Sequence, residues 1–591
     1  MSWGWRTKPR SALKVIKWFK SFAELENENW DYLDGQVARN GNAIHPIRRK
    51  YYYNAQIDED DSPIKDLTYE EYLSGCRDGN ADSESNARND LATYKFLGLG
   101  WIDKTGKIRI TQAGRMISEN KFDSEMFLKQ LLKMSFPSVS TGYGTDIPDG
   151  KRVFPMQIII KLLSDLTYIN RYEMAFSYFC YDISEYPLLL DTIKKFRDDY
   201  EKLDNKNDSG ECKNLFMKYA VGVYNFSKEG NPTTLFTIGD AIERALQYTM
   251  LFDISGRGNN TKTRIAEHSK KKVEQLKDKF IYKTNDSEDL DEYMLWFGNL
   301  DNVILPWENK DERKALIVDK LNLLESTIHI VKNKYSLEIN LDYAELYSKV
   351  NKLNEPTDLK LFEEELISKI TSLNEEVFIK YTSKTDEARE QIKDKFSDIL
   401  DGKEEIAALW LECNTWKSLV AIDGNQKVVR NFSIEEDLTP KSFAPGKNNT
   451  PDMELYIDDT ILIPEVSLMS GVQQWEHEGS SVIDHVMKFI DGNSDKNIFG
   501  LFITNNINIR TNWQFFLLNK ESWMGNPVPV IPLTIKQYSD IITFIYTKSI
   551  NIKYFVNLID TIHSNTLELD SYQDWNNCIE DTILNWKEQF S

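Results

Sequence analysis

Asp452 and Glu465 bracket a stretch in which two runs of β-branched and apolar residues flank the polar pair Asp458-Asp459, the pattern of a β-hairpin. A turn centred between 458 and 459 sets residues whose numbers sum to 917 opposite each other, so Asp452 faces Glu465 with Cβ atoms roughly 5 Å apart. Like charges in that position destabilise a hairpin, and a divalent cation removes the conflict. The two carboxylates, the Val466 carbonyl and waters make a hard, all-oxygen site of the kind Mg²⁺ accepts while holding a phosphate, with Mn²⁺ as its usual substitute. Side-chain alternation puts Ser467 on the same sheet face as Glu465. The plainer alternative is a surface hairpin with scattered acids, since Pro-Asp followed by Glu-x-polar recurs by chance.

The elements around this hairpin read as one domain. A helix over 404–420 carries Glu412, Thr415 and Trp416. After the hairpin, a helix opens at Trp475 and runs to about Ile490, carrying His477, Glu478 and His485. A strand over 497–504, a helix over 511–519, a strand over 528–533 and a helix over 535–546 complete the order. Such alternation predicts a mixed sheet with helices on both faces. Glu478 and His485 lie two helical turns apart, hence on nearly one face.

Upstream, 85–97 reads as a helix, followed by a strand from Gly98, a Lys-Thr-Gly turn, a second strand to Thr111 and a helix from Gln112. Helix, two-stranded wing and return helix describe a winged helix-turn-helix. Arg88, Asn89 and Lys95 would then face a major groove, and Lys104, Lys107 and Arg109 would reach phosphates. Winged helices also dock proteins. A second unit repeats the pattern: helix 238–252, a Gly-rich turn with Arg257, then Lys262 and Arg264 leading into a Lys-rich helix. The cluster Arg48, Arg49, Lys50 and Tyr51 to Tyr53 offers cations beside aromatic rings, suited to phosphate contact, or else a solvated turn entering a strand. Helical periodicity with charges of both signs dominates 311–400, a solvated connector.

With 591 residues the chain exceeds one core. No apolar run approaches the roughly 20 residues needed to span a bilayer, and the start lacks the apolar stretch of a signal peptide. The five cysteines are scattered, with no Cys-x-x-Cys pair, which argues for reduced thiols in a cytoplasmic protein and against a zinc centre. A net charge of −21 argues at first against nucleic acid. Its distribution reverses that: residues 1–56 hold ten Lys/Arg against five Asp/Glu, and 255–275 six against two.

The C-terminal order resembles the PD-(D/E)xK nuclease fold. The local strings Glu412 to Trp416, Pro451 to Glu454 and Glu465-Val466-Ser467 resemble those of the AlwI-type family of Type IIS restriction and nicking endonucleases, which includes PleI, MlyI and the large nicking subunits of heterodimeric enzymes. Phe127 to Ser138 resembles the family's recognition half, so the likeness spans nearly the whole chain. It implies Mg²⁺-dependent hydrolysis of one DNA strand a short distance outside an asymmetric site in a bacterial restriction-modification system. Asp452, Glu465 and the Val466 carbonyl would hold the metal, and Glu412 would orient a water or second ion. Glu478 and His485 match the family's downstream acid and histidine. Ser467 departs from the general motif, which has lysine there, so Glu478 and His485 become the candidates for deprotonating the attacking water. His477 has no counterpart.

The expected architecture is multidomain α+β: a winged-helix DNA-recognition subdomain over 1–125, a second recognition subdomain over 126–305, a helical linker over 306–402 and a PD-(D/E)xK cleavage domain over 403–591. Expected partners are double-stranded DNA, a small nuclease subunit or transient second copy for double-strand cleavage, and a cognate DNA methyltransferase, with no membrane. A DNA-binding regulator with an inactive nuclease-like domain and a structure-directed repair nuclease are the rival readings.

Overall fold

The computed structural model describes residues 3–590 except 10, 34, 36–43, 58, 60–61, 63, 66, 78–82, 141–146, 204–208, 228, 230, 256–260, 336–342, 405–406, 442–449, 470, 472–473 and 521–526, and except the side chains of 76–77, 83, 209, 255, 267, 335 and 476–478. The chain divides into two compact units, Met1–Glu312 and Arg313–Ser591. Among the described residues no helix is long and apolar enough to cross a membrane.

The first unit is mostly helical. Helix Ala12–Ala23 starts where Ser11 accepts a hydrogen bond from the Lys14 N–H, and it buries Val15, Phe19 and Phe22. Those rings meet Trp30, Tyr51 and Tyr94 in one aromatic cluster. The Arg48 to Tyr53 string is helical, within Pro46–Gln56, where the proline occupies the first turn and needs no N–H. Helix Ser83–Phe96 leads into β1 (Gly100–Ile102) and β2 (Ile108–Ile110), an antiparallel ribbon, and then into helix Gln112–Ser118, capped by Thr111. Gly114 is required there, because a Cβ would stand 2.3 Å from the Leu99 carbonyl oxygen.

Farther along, helix Pro155–Leu166 precedes β3 (Tyr168–Asn170), a strand the sequence pattern did not reveal. Helix Pro232–Tyr248 leads to β4 (Phe252–Ser255), β5 (Lys262–Ile265) and helix Lys270–Lys279. These strands form an antiparallel sheet in the order β3-β5-β4.

In the second unit, helices Tyr343–Lys352, Pro356–Val377 and Asp386–Leu400 follow the long helix Lys310–Tyr335. Ile317, Leu321, Leu324, Leu359 and Phe362 share a core, and the Arg313 guanidinium meets Glu363 at 3.0 Å beside it. A larger core surrounds a five-stranded mixed sheet of β6 (Lys427–Arg430), β7 (Met453–Ile457), β8 (Thr460–Ser467), β9 (Asn497–Thr504) and β10 (Val530–Thr534), ordered β10-β9-β8-β7-β6. The strands β8, β9 and β10 run parallel and the other pairs antiparallel. The central strand β8 is buried throughout, which is why it reads as a continuous apolar run. Helices Ala407–Val420, Ser480–Gly492, Ile509–Lys520, Ile535–Lys548, Ile552–Leu567 and Trp575–Glu588 complete the unit.

Candidate active site

The β7–β8 register is Leu455↔Leu462, Tyr456↔Ile461 and Ile457↔Thr460, each pair summing to 917 as the sequence predicts. Asp458 supports the two-residue turn with φ of +48°, which aspartate tolerates. The β7–β8 ladder ends at Leu462, two residues short of Pro464. Proline has no N–H for a strand partner, so the ribbon parts there. Two residues on, and therefore on the same edge of β8, the Val466 N–H is taken by the Asp452 side chain, Oδ2, at 2.9 Å. The parting of the hairpin thus brings the Asp452 carboxylate against the peptide that follows Glu465.

Two further residues hold this end of the hairpin. Asn431 donates its N–H to the Asp452 carbonyl at 2.9 Å, and its side-chain amide donates to the Pro451 carbonyl and to Glu454, each at 2.9 Å. Gln474, fully buried, donates to the Met469 carbonyl (2.9 Å), Thr504 Oγ1 (3.0 Å) and the Asn506 carbonyl (2.9 Å), and accepts from the Asn508 N–H (2.7 Å). It therefore ties the segment after β8 to the end of β9. The sequence reading missed both residues, because a lone amide side chain carries no spacing signal.

Glu465 and His485 are both buried, and His485 Nδ1 lies 2.5 Å from Glu465 Oε1. Burial lowers the proton affinity of the imidazole below its ordinary range, Lys488 adds to the effect and Asp484 opposes it. A neutral ring with its proton on Nδ1 satisfies the contact, the carboxylate accepting. Ser467 Oγ accepts from the Met469 N–H at 3.0 Å and so caps the strand end.

Glu412 is half-buried on the Ala407–Val420 helix, which packs against β8. The Glu478 and His477 side chains lie outside the described set. Among the described residues no three His, Cys, Asp or Glu side chains converge closely enough to hold a metal ion by themselves. Magnesium does not require that, since it is typically bound through one or two carboxylates, waters and a substrate phosphate. The donors at the hairpin mouth, Asp452, Glu465 and the Val466 carbonyl, are all oxygen and fit such an ion.

The candidate DNA-contact residues divide. Arg49 is buried and pairs with Glu84 at 2.9 Å, and Arg48 pairs with Asp31 beneath the Trp30 ring. Arg109 pairs with Asp103 at 2.7 Å and also donates to Asn27. Although burial pushes the Asp103 carboxyl up, hydrogen bonds from Thr105, the Lys107 N–H and Arg109 hold it well below the usual range. Lys104 pairs with Asp289. Lys50, Arg88 and Lys107 are exposed, whereas Asn89 and Lys95 are half-buried. Burial, with Arg6 nearby, lowers the Lys95 pKa. Lys262 and Arg264 flank the Tyr168 ring at 4.7 and 5.5 Å, and Arg257 lies outside the described residues.

Comparison with known proteins identifies the family. The family profile described as AlwI restriction endonuclease matches residues 97–541. No curated protein matches. Among solved structures, the chain is similar to the small subunit of the heterodimeric restriction endonuclease R.BspD6I, with 18% identity over 33% of this chain and 98% of that one, at a TM-score of 0.29.

Proposed function

We propose, for a chain that belongs to the AlwI restriction endonuclease family and is therefore a site-specific DNA endonuclease, that it cuts one strand outside a short asymmetric sequence in a Mg²⁺-dependent, Type IIS manner. The observation that carries this reading is the parted hairpin, where the Asp452 carboxylate meets the Val466 peptide beside Glu465. Asp452, Glu465 and the Val466 carbonyl would hold the ion. When bound, Mg²⁺ supplies electrophilic activation of the scissile phosphate and a more acidic water.

His485 positions Glu465 through Nδ1. The attacking water forms a bond to phosphorus as the bond to the leaving oxygen breaks, and its proton goes to a local base, for which Glu478 and the remaining nitrogen of His485 are the candidates. Glu412 orients a water from the neighbouring helix. In this reading β6 to β10 with their helices form a PD-(D/E)xK nuclease domain over 403–591, and 306–402 links it to two winged-helix-like recognition modules over 1–125 and 126–305. One such centre per chain nicks. Double-strand cleavage then takes a second copy or a small nuclease subunit, and a cognate methyltransferase protects host DNA.

Plasmid relaxation with Mg²⁺ and with EDTA, followed by sequencing of the cut ends, tests the proposal. Ends at a constant offset from one sequence support it. Ends that follow branches or lesions point to a repair nuclease, and no nick under any divalent ion points to a regulator. Asp452→Ala and Glu465→Ala should each abolish cutting while specific binding survives, and retained nicking by either removes the assigned metal site.

A further inference from the structure

A cavity of about 470 Å³ opens in the first unit between the end of helix Pro155–Leu166, β5 and helix Lys270–Lys279. Its polar wall consists of Ser164, Thr167, Arg264, Lys270, Glu274 and Lys277. Lys270, Glu274 and Lys277 share one helix face by their spacing. Both hydroxyls are spent on backbone, Ser164 donating to the Ile160 carbonyl at 2.8 Å and Thr167 to the Leu166 carbonyl at 2.5 Å. The charge-bearing donors on the wall are therefore cations, three against the single Glu274 carboxylate.

Two features of this wall carry a structural cost. Lys270 lies in the first turn of its helix, where no acidic residue stands and the helix dipole disfavours positive charge. Thr167, a β-branched residue, takes φ of +65° at the cavity edge. Beside the cavity, the Tyr168 ring props Lys262 and Arg264, while Arg197 on the same ring, at 4.2 Å, is pinned to Glu173 at 2.7 and 2.8 Å. An anion in the cavity would offset the clustering of positive charge.

We infer that this cavity seats a backbone phosphate of duplex DNA, held by Arg264, Lys270 and Lys277, with Glu274 limiting the affinity. The inference rests on the DNA-endonuclease reading and adds to it a sequence-independent anchor in the second recognition module. Phosphate contacts set position and carry no base information. Losing them therefore weakens cognate and unrelated duplexes alike.

The test uses the full chain in EDTA with two labelled duplexes, one bearing the site mapped from the cut plasmid ends and one lacking it, titrated between 50 and 200 mM salt. The double variant Lys270→Ala/Lys277→Ala should bind both duplexes roughly tenfold more weakly, with a log K against log salt slope less steep by about 1 for each phosphate released. Glu274→Gln should tighten both, a gain that misfolding cannot imitate. Unchanged affinity and slope in the double variant, a loss confined to the cognate duplex, or no gain from Glu274→Gln overturns the assignment. So does a result in which millimolar inorganic phosphate raises the wild-type melting temperature, but not the double variant's, while the DNA slopes stay equal, since the cavity then takes a free anion. Wild-type protein that binds DNA as expected yet never cuts plasmid with Mg²⁺ sinks the nuclease reading and leaves this one standing.

Discussion

Replacing Asp90 with asparagine is expected to stabilise the first unit by an amount that grows with pH. Asp90 is 4% exposed on helix Ser83–Phe96, accepts from the Tyr51 hydroxyl at 3.0 Å, and reaches through it to the Tyr94 hydroxyl, 2.6 Å farther on. One turn and a half earlier on the same helix, Glu84 accepts from Arg49 at 2.9 Å. Burial lifts the Asp90 carboxyl from the ordinary 3.8 to about 7, and the Tyr51 hydrogen bond opposes this only in part. The folded state therefore binds the proton more tightly than the unfolded chain. Stability attached to the protonated acid is fully present below pH 3.8 and is lost as pH rises through about 7. At about 1.4 kcal/mol per pKa unit the whole interval amounts to roughly 4 kcal/mol, of which roughly 2–3 kcal/mol falls between pH 5 and pH 8. Asparagine keeps the shape and does not titrate. The melting-temperature advantage of Asp90→Asn over wild type should accordingly be larger at pH 8 than at pH 5 by about 3–5 °C. Thermal melts of both proteins across that range decide it, and parallel curves would refute the burial argument. The same helix carries Arg88 and Asn89, so wild-type DNA binding should weaken above pH 7 more than the variant's.

Other expectations follow from single contacts. His485→Ala should cut about 10–100-fold more slowly or demand more Mg²⁺, with DNA binding unchanged, because Glu465 loses the group that orients it. A Mg²⁺ titration of single-turnover nicking checks this. Gln474→Ala removes four hydrogen bonds from a buried position and should cost about 2–3 kcal/mol, read by urea denaturation, with slower nicking as the segment after β8 loses its tie to the end of β9. Gly114→Ala places a methyl group 2.7 Å from Phe19 Cζ and 2.3 Å from the Leu99 oxygen, and should lower stability by about 3 kcal/mol, visible as a fall in the melting temperature.

Local rules made much of this molecule legible. Apolar runs bounded by turn residues located β7, β8 and β9. A two-residue turn leaves little freedom of register, so Asp458-Asp459 was enough to align β7 with β8. β3 and β6 escaped: β1 and β2 are as short but are joined by a tight turn that marks them, whereas β3 and β6 are held by partners distant in sequence.

Which cations face solvent was not legible either. Arg48, Arg49, Lys104 and Arg109 look alike in a string of letters, yet each is engaged by a carboxylate contributed by another element or turn. The sequence by itself determined the turn and the β7–β8 register as far as Leu462, because these depend on neighbours along the backbone; the facing of Asp452 and Glu465 came from carrying that register on through Pro464, where the ladder does not continue. Only the tertiary structure decided that Asp452 takes the Val466 N–H and that His485, from a helix twenty residues away, closes on Glu465. Such contacts depend on where the packing of helices against β8 and β9 brings side chains, and no residue spacing encodes that.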